Sequence, residues 1–275
     1  MKRTIFSYPY IVWMAIFIIV PMVLVMYYAF SDKAGALSTQ SMLEAFDATN
    51  LTVLMRSIKL ALVCTAICLL MGYPVGAVLA RSKLKSGVLI MLIMLPMWMN
   101  FLLRTYAWKV ILDDTGIINA LLGALGVLKA LNIDHVQFLY NESAVVVGMV
   151  YNYLPFMILP IYNVIMKIPG SLIEAAEDLG CNSRQVFRKV TLPLSVPGII
   201  SGITMVFMPA VSTFVISSLM GGGKADMYGD LIERKFMMPD WNLGSALSLI
   251  MMVFIFVSMA IANRTDASKE GSLLV

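Results

Sequence analysis

The sequence predicts an all-α membrane protein, a polytopic bundle of about six transmembrane helices. Three observations predict it. Of 275 residues, 60% are hydrophobic and only 13% are charged. Mean hydropathy is +0.87. Apolar runs also recur at the length, roughly 20 residues, that crosses a ~30 Å hydrocarbon core. A single domain is expected over residues 1–275.

The runs fall at residues 10–30, 58–80, 87–103, 144–165, 195–219 and 243–262. The first follows Lys2 and Arg3, and Ala34-Gly35-Ala36 imitates a signal-peptide cleavage site. It exceeds an h-region of about 7 to 15 residues, so an uncleaved anchor is expected. The second carries Cys64 and Cys68, four apart on one helix face. A thiolate metal site needs more ligands than these, and the single histidine, His135, lies in a loop, so the cysteines are expected to be small apolar filler. The third is short before Arg104; Pro96 and the aromatic stretch from Trp98 to Trp108 predict a helix that ends in the interface. The last three need no special argument. Methionines are scattered through every span and, although Met91, Met94 and Met97 stand three apart, they read as gap-filling.

Prolines fall within spans at Pro21, Pro74, Pro96, Pro155, Pro160 and Pro209, each removing a backbone hydrogen bond and permitting a bend. Pro209, beside the polar Ser212 and Thr213, is the gate candidate.

Charge sets the orientation. Residues 1–9, 81–86, 166–194 and 263–275 hold 11 Lys and Arg in 57 positions, against eight in 90 for the other connections, with Lys59 just inside the second run. The denser side is expected to be cytoplasmic, with both termini on it. The net charge of +4 is this bias itself and calls for no nucleic acid.

The segment 166–194 on that side is polar and helix-capable between two apolar spans. Ser171 with Glu174 reads as a capping box after Pro169-Gly170, and Gly180 as a left-handed C-terminal cap. A second start follows at Asn182 with Gln185, and the helix is expected to stop before Pro193. Leu172, Ile173, Ala176 and Leu179 share a face that this loop alone cannot bury. A helix lying on the membrane surface would carry Lys or Arg on its polar face, whereas this one carries Glu174, Glu177 and Asp178.

Other chemistries lack their residues. Gly221-Gly222-Gly223-Lys224 misses the earlier glycine of a phosphate-binding loop and is followed by Ala225, so it reads as a turn. The predicted spans hold no Ser–His pair and no Asp for intramembrane proteolysis, and one histidine does not build a hydrolytic metal centre. An enzyme is not expected.

Glu174-Ala175-Ala176, then Gly180, then Val190-Thr191-Leu192-Pro193 resembles the EAA loop of bacterial ABC importer permeases, E-A-A-x3-G-x9-I-x-L-P, with Val190 in the usual Ile position. Met71-Gly72-Tyr73-Pro74, Leu95 to Asn100, Leu103 to Tyr106, Leu219 to Gly222 and Asp240-Trp241 are similar to the spermidine/putrescine branch of that family. One departure is Ser218, which stands before Leu219-Met220-Gly221-Gly222 where that branch carries an acidic residue.

The resemblance implies a type I importer permease fold (MetI-like), alternating access, and ATP hydrolysis in a separate subunit. It implies a second permease subunit, an ATPase dimer that binds ATP and Mg2+, and an extracytoplasmic substrate-binding protein. It makes Glu174, Ala175, Ala176 and Gly180 docking and turn positions, with Glu177, Asp178 and Arg184 as rim charges.

A polyamine path needs aromatic faces and dipoles, which compensate an ammonium for lost hydration. Candidates are Trp98, Asn100, Tyr106 and Trp108; Tyr151, Asn152 and Tyr153; and Ser212, Thr213, Phe214 and Ser217. Asp113, Asp114, Asp226, Asp230 and Glu233 are the outer acidic candidates. No Lys or Arg is expected deep in a span, which favours a cation or neutral cargo over an anion. Fe(III) chelates and opine-like compounds are the other cargos weighed, and a non-transporting scaffold the third possibility.

Overall fold

A computed structural model describes residues 8–82 and 86–270; Lys2, Arg3, Lys83 and Lys85, which weigh in the charge count, lie outside them. The helices are α1 (Tyr8–Met14), α2 (Val20–Ala29), α3 (Gln40–Ala45), α4 (Ala48–Arg81), α5 (Ser86–Met94), α6 (Phe101–Leu112), α7 (Ile117–Ala124), α8 (Val127–Leu131), α9 (Glu142–Ile165), α10 (Gly170–Asp178), α11 (Ser183–Val186), α12 (Leu192–Ser212), α13 (Val215–Gly221), α14 (Tyr228–Met237) and α15 (Trp241–Glu270). Five stretches are long and apolar enough to cross a membrane, and Gly87–Trp98 with Phe101–Ala124 forms a sixth bent by 87°.

Three of the six spans differ from the apolar runs. The second begins well before residue 58, because Asp47 caps α4 by accepting from the Thr49 N–H at 3.1 Å. Polar residues that interrupt its apolar pattern have partners here: Lys59 Nζ reaches Glu142 Oε2 at 2.6 Å and Ser57 Oγ accepts from the Tyr228 N–H at 2.7 Å. The third is broken rather than ended. A 3-10 turn at Leu95–Trp98 carries Pro96, Met99 is extended, and Asn100 Oδ1 accepts from the Leu102 N–H at 2.8 Å to start α6. The fifth divides at Thr213–Phe214 into α12 and α13.

The core is three helices wide. In α9, 72% of the spanning window is buried inside the chain, against 0% for the first span, so α9 is the central post and α1–α2 ride outside against α15. Two small-residue pairs bring neighbours close to the post. A Cβ on Gly72 would lie 2.9 Å from Met157 Cγ and one on Gly76 3.3 Å from the Ile158 carbonyl oxygen, seating α4. One on Gly202 would lie 2.7 Å from Met157 Sδ and one on Gly198 2.9 Å from the Pro160 carbonyl oxygen, seating α12. Met157 thus fills the gap between Gly72 and Gly202.

Candidate coupling loop and substrate path

The loop 166–194 forms two helices joined by a turn, held by local rules at nearly every step. α10 ends in a paired cap: the Cys181 N–H donates to the Ala176 carbonyl at 3.0 Å and the Gly180 N–H to the Glu177 carbonyl at 2.8 Å. Gly180 sits at φ +82°, the left-handed backbone the sequence predicts there. Asn182 and Gln185 exchange their capping bonds at 3.0 and 2.9 Å to open α11.

Two local expectations are corrected. Pro169, not Ser171, takes the N-cap position of α10; Ser171 falls inside the first turn and makes no capping bond. The chain also does not stop before Pro193. A π-helical turn at Phe187–Thr191 carries α11 into α12, with the Leu192 N–H bonded to the Phe187 carbonyl. The ladder slips by one residue just where Pro193 has no N–H to give.

Glu174, Ala175, Glu177, Asp178, Gly180 and Arg184 are exposed, and Ala176 is half-buried. Leu172 is 45% and Leu179 86% exposed, so the apolar face of α10 is open. A cleft of about 420 Å3 beside it is lined by Ser183, Arg184, Phe187 and Arg188. Behind the loop, Arg81 Nη2 donates to Thr191 Oγ1, the Tyr73 and Ser195 hydroxyls meet at 2.9 Å, and the Tyr73 and Phe187 rings pack edge-on at 5.8 Å. The root of the loop is therefore pinned to the end of α4. Arg81, Tyr73 and Ser195 escaped sequence reading because nothing local pairs them.

The path candidates divide. Trp108 and Tyr151 pack edge to face at 5.3 Å. Tyr153 donates its hydroxyl to the Pro209 carbonyl at 3.3 Å, and Ser212 Oγ donates to the Met208 carbonyl at 3.2 Å. Asn152, Thr213 and Ser217 are buried beside the break in the fifth span, and Asn152 Nδ2 bonds the Gly148 carbonyl at 2.9 Å. Trp98, Tyr106 and Phe214 are instead 73%, 49% and 41% exposed on the surface of the chain, and Asn100 serves as the cap of α6. Pro209 lies in the last turn of α12, where its carbonyl accepts the Tyr153 bond.

Most outer acids have company. Asp226 is ion-paired with Arg234, Asp114 Oδ2 lies 3.6 Å from His135 Nε2, and Asp113 Oδ2 accepts from Thr115 Oγ1 at 3.0 Å. Glu233 is half-buried. Asp230 is 5% exposed, and burial pushes its carboxyl up to about 6.

One exclusion is corrected: Arg104, 8% exposed in the first turns of α6, is a basic residue buried inside the bent third span. Its guanidinium stands 6.0 Å from the Phe101 ring centroid. The expected interfacial end of that span hid it.

Residues 72–270 match the family model described as "Binding-protein-dependent transport system inner membrane component". The chain belongs to this family. Among curated relatives, it is 37% identical over 257 residues to the spermidine/putrescine transport system permease protein PotB of Haemophilus influenzae, covering 89% of this chain and 88% of that one. It is 33% identical over 262 residues to PotB of Escherichia coli K12, covering 92% and 94%. In fold it is similar to a chain of a bacterial ABC transporter that imports the acidic polysaccharide alginate, with a TM-score of 0.78 at 21% identity over 97% of this chain and 95% of that one. A chain of the inward-facing MetNI methionine transporter aligns with a TM-score of 0.56 at 15% identity over 80% and 95%. The all-α architecture of an importer permease, with its EAA segment presented on an open face, is thus in place.

Proposed function

We propose that this chain is the transmembrane permease subunit of an ATP-driven polyamine importer, moving spermidine or putrescine by alternating access. The observation that carries the reading is end-to-end similarity to permeases named for that cargo, at 37% and 33% identity. The open apolar face of α10 is what a docking helix needs, since its Leu172 and Leu179 are 45% and 86% exposed.

In this reading α10 seats in a groove of a PotA-like ATPase dimer, which binds ATP and Mg2+ and performs the hydrolysis; the permease itself catalyses nothing. Closure of the ATPases pushes on α10, and the continuous helix Ser183–Ser212 carries that push into the membrane as a rigid lever. The Arg81–Thr191 and Tyr73–Ser195 contacts make α4 move with it. A PotC-like permease forms the other half of the pore, and a PotD-like binding protein delivers cargo to the far face. Both termini and the loop are then cytoplasmic.

Uptake of labelled spermidine and putrescine tests this in cells lacking their own polyamine importers and expressing this chain with its genomic neighbours. Gly180→Asp is the coupling-dead control. Asp tolerates left-handed backbone better than most residues, at about 1 kcal/mol, so the fold should survive while transport falls by more than tenfold. Absence of polyamine uptake from a complex that assembles and hydrolyses ATP would remove the cargo and leave the importer class.

A further inference from the structure

Where the fifth span breaks, the last carbonyls of α12 have no following helical N–H to receive. Thr213 is extended, and α13 restarts only at Val215. Gly229 lies against this end so closely that a Cβ there would sit 2.7 Å from both the Ser212 and Thr213 carbonyl oxygens. The next residue is Asp230, in the first turn of α14. Its Oδ2 accepts from the Met227 N–H at 2.7 Å, while its Oδ1 is buried with no hydrogen-bond partner among the described residues. The neighbouring Ser217 hydroxyl, which favours the ionised form of Asp230, is shared with the Phe214 carbonyl, its acceptor at 3.0 Å. Asn152 Oδ1, on α9, is a second buried acceptor with no donor among the described residues.

This is a collection of acceptors short of donors. Asp230 Oδ1 is taken out of water, where an unmet acceptor costs most, one residue from the glycine that packs on the carbonyl end of α12. The arrangement is rigid, since the Tyr228 N–H is bonded to Ser57 Oγ on α4 at 2.7 Å. A cation with several N–H donors and one charge matches it. A divalent metal matches it less well: Asp226 is already paired with Arg234, and no group of three or more acidic, His or Cys ligands occurs among the described residues.

We propose that Asp230, with the carbonyl end of α12 and the Ser217 oxygen, forms a site that takes a primary ammonium group of the cargo during passage. It rests on the polyamine reading above and gives that reading a residue that sequence position alone would have placed in a loop. A lone carboxylate holds the ammonium without trapping it, because the remaining contacts are to dipoles.

The test uses the complete transporter, with its binding protein, reconstituted in vesicles. Asp230→Asn keeps an oxygen for the Met227 N–H and removes the charge. The expected result is a fall of at least tenfold in labelled spermidine uptake, with the complex still assembled with its ATPase and the unfolding temperature not lowered. Uptake within twofold of the wild type overturns the site while leaving the cargo reading intact. If the wild-type complex moves no amine at all, the cargo reading falls and the site with it. If uptake in the wild type requires Na+ and the substitution abolishes that requirement, the site holds an alkali ion and the ammonium proposal is overturned. Should Asp230→Asn fail to assemble, carbodiimide labelling of Asp230 in the wild-type complex replaces it. Protection by spermidine but not by NaCl of equal ionic strength supports the site, and labelling that spermidine does not slow overturns it.

Discussion

At one end α12 grows out of a loop whose cohesion is almost wholly local, while at the other it breaks against elements far away in sequence. The loop end is built from the Gly180 turn, the Asn182–Gln185 caps and a π-helical turn, each closing within a few residues. The far end is built from Gly229 against the Ser212 and Thr213 carbonyls, Tyr153 on Pro209, and Ser57 under Tyr228. The loop end is exposed and takes its turns from its own neighbours, with only its root tied to α4; the far end takes its shape from the bundle. A lever that must receive force from a separate subunit benefits from a self-standing handle. A site that must release its cargo benefits from a break whose geometry depends on how the helices are packed.

The comparison is tested hardest at Gly229. A methyl group there meets two backbone oxygens, which cannot step aside as a side chain can. Gly229→Ala should cost about 2–3 kcal/mol as the end of α12 and the start of α14 are pushed apart. Thermal unfolding of the chain in lipid nanodiscs would show it as a lowered midpoint. An unchanged midpoint would mean that the far end is as loosely held as the loop.

Asp230 gives a somewhat smaller effect with a characteristic pH dependence. Its carboxyl is raised to about 6 from 3.8, chiefly by burial, with Asp226 and Glu233 adding to the rise and Ser217 and the Met227 N–H opposing it. The folded state therefore holds a proton that the unfolded chain has lost between those values. Stability is highest below about 4, falls as pH rises toward 6, and stays lower above it. The ionised side chain should cost about 1–3 kcal/mol at pH 7.5 in the absence of a cation. Asp230→Asn should thus raise the unfolding midpoint at pH 7.5 and leave it nearly unchanged at pH 4. Added spermidine should raise the wild-type midpoint at pH 7.5 and not that of the variant.

The same contrast governs what could be read from the sequence. Gly180 and the Asn182–Gln185 pair were legible because a positive φ and a capping box are written in neighbouring residues. Of the spans, the fourth was found almost whole, since nothing polar interrupts Ala144 to Ile165 badly enough to hide it. The early start of α4 was missed because Arg56 and Ser57 look like loop residues until Glu142 and Tyr228 arrive from elsewhere. Buried Arg104 and the pairs Gly72/Gly76 and Gly198/Gly202 were likewise invisible, since a glycine spacing acquires meaning only from the helix set against it. Asp230 was singled out, but as one solvated acid among five; its burial depends on where α14 folds back.

The mildest test sits at the loop end. Asn182→Ala removes the acceptor for the Gln185 N–H and half of the reciprocal cap that opens α11. Such a loss costs about 1 kcal/mol, or about a fivefold increase in local opening. Because the cap bonds only its own neighbours, the cost should remain in α11: faster amide exchange there, and an unfolding midpoint for the bundle close to that of the wild type. Transport should nonetheless suffer, since a frayed α11 lets α10 move without carrying α12. Uptake per ATP hydrolysed should drop a few-fold while hydrolysis continues. If the midpoint instead fell as far as for Gly229→Ala, the loop would be part of the bundle's cooperative unit, and the separation of handle from break would be lost.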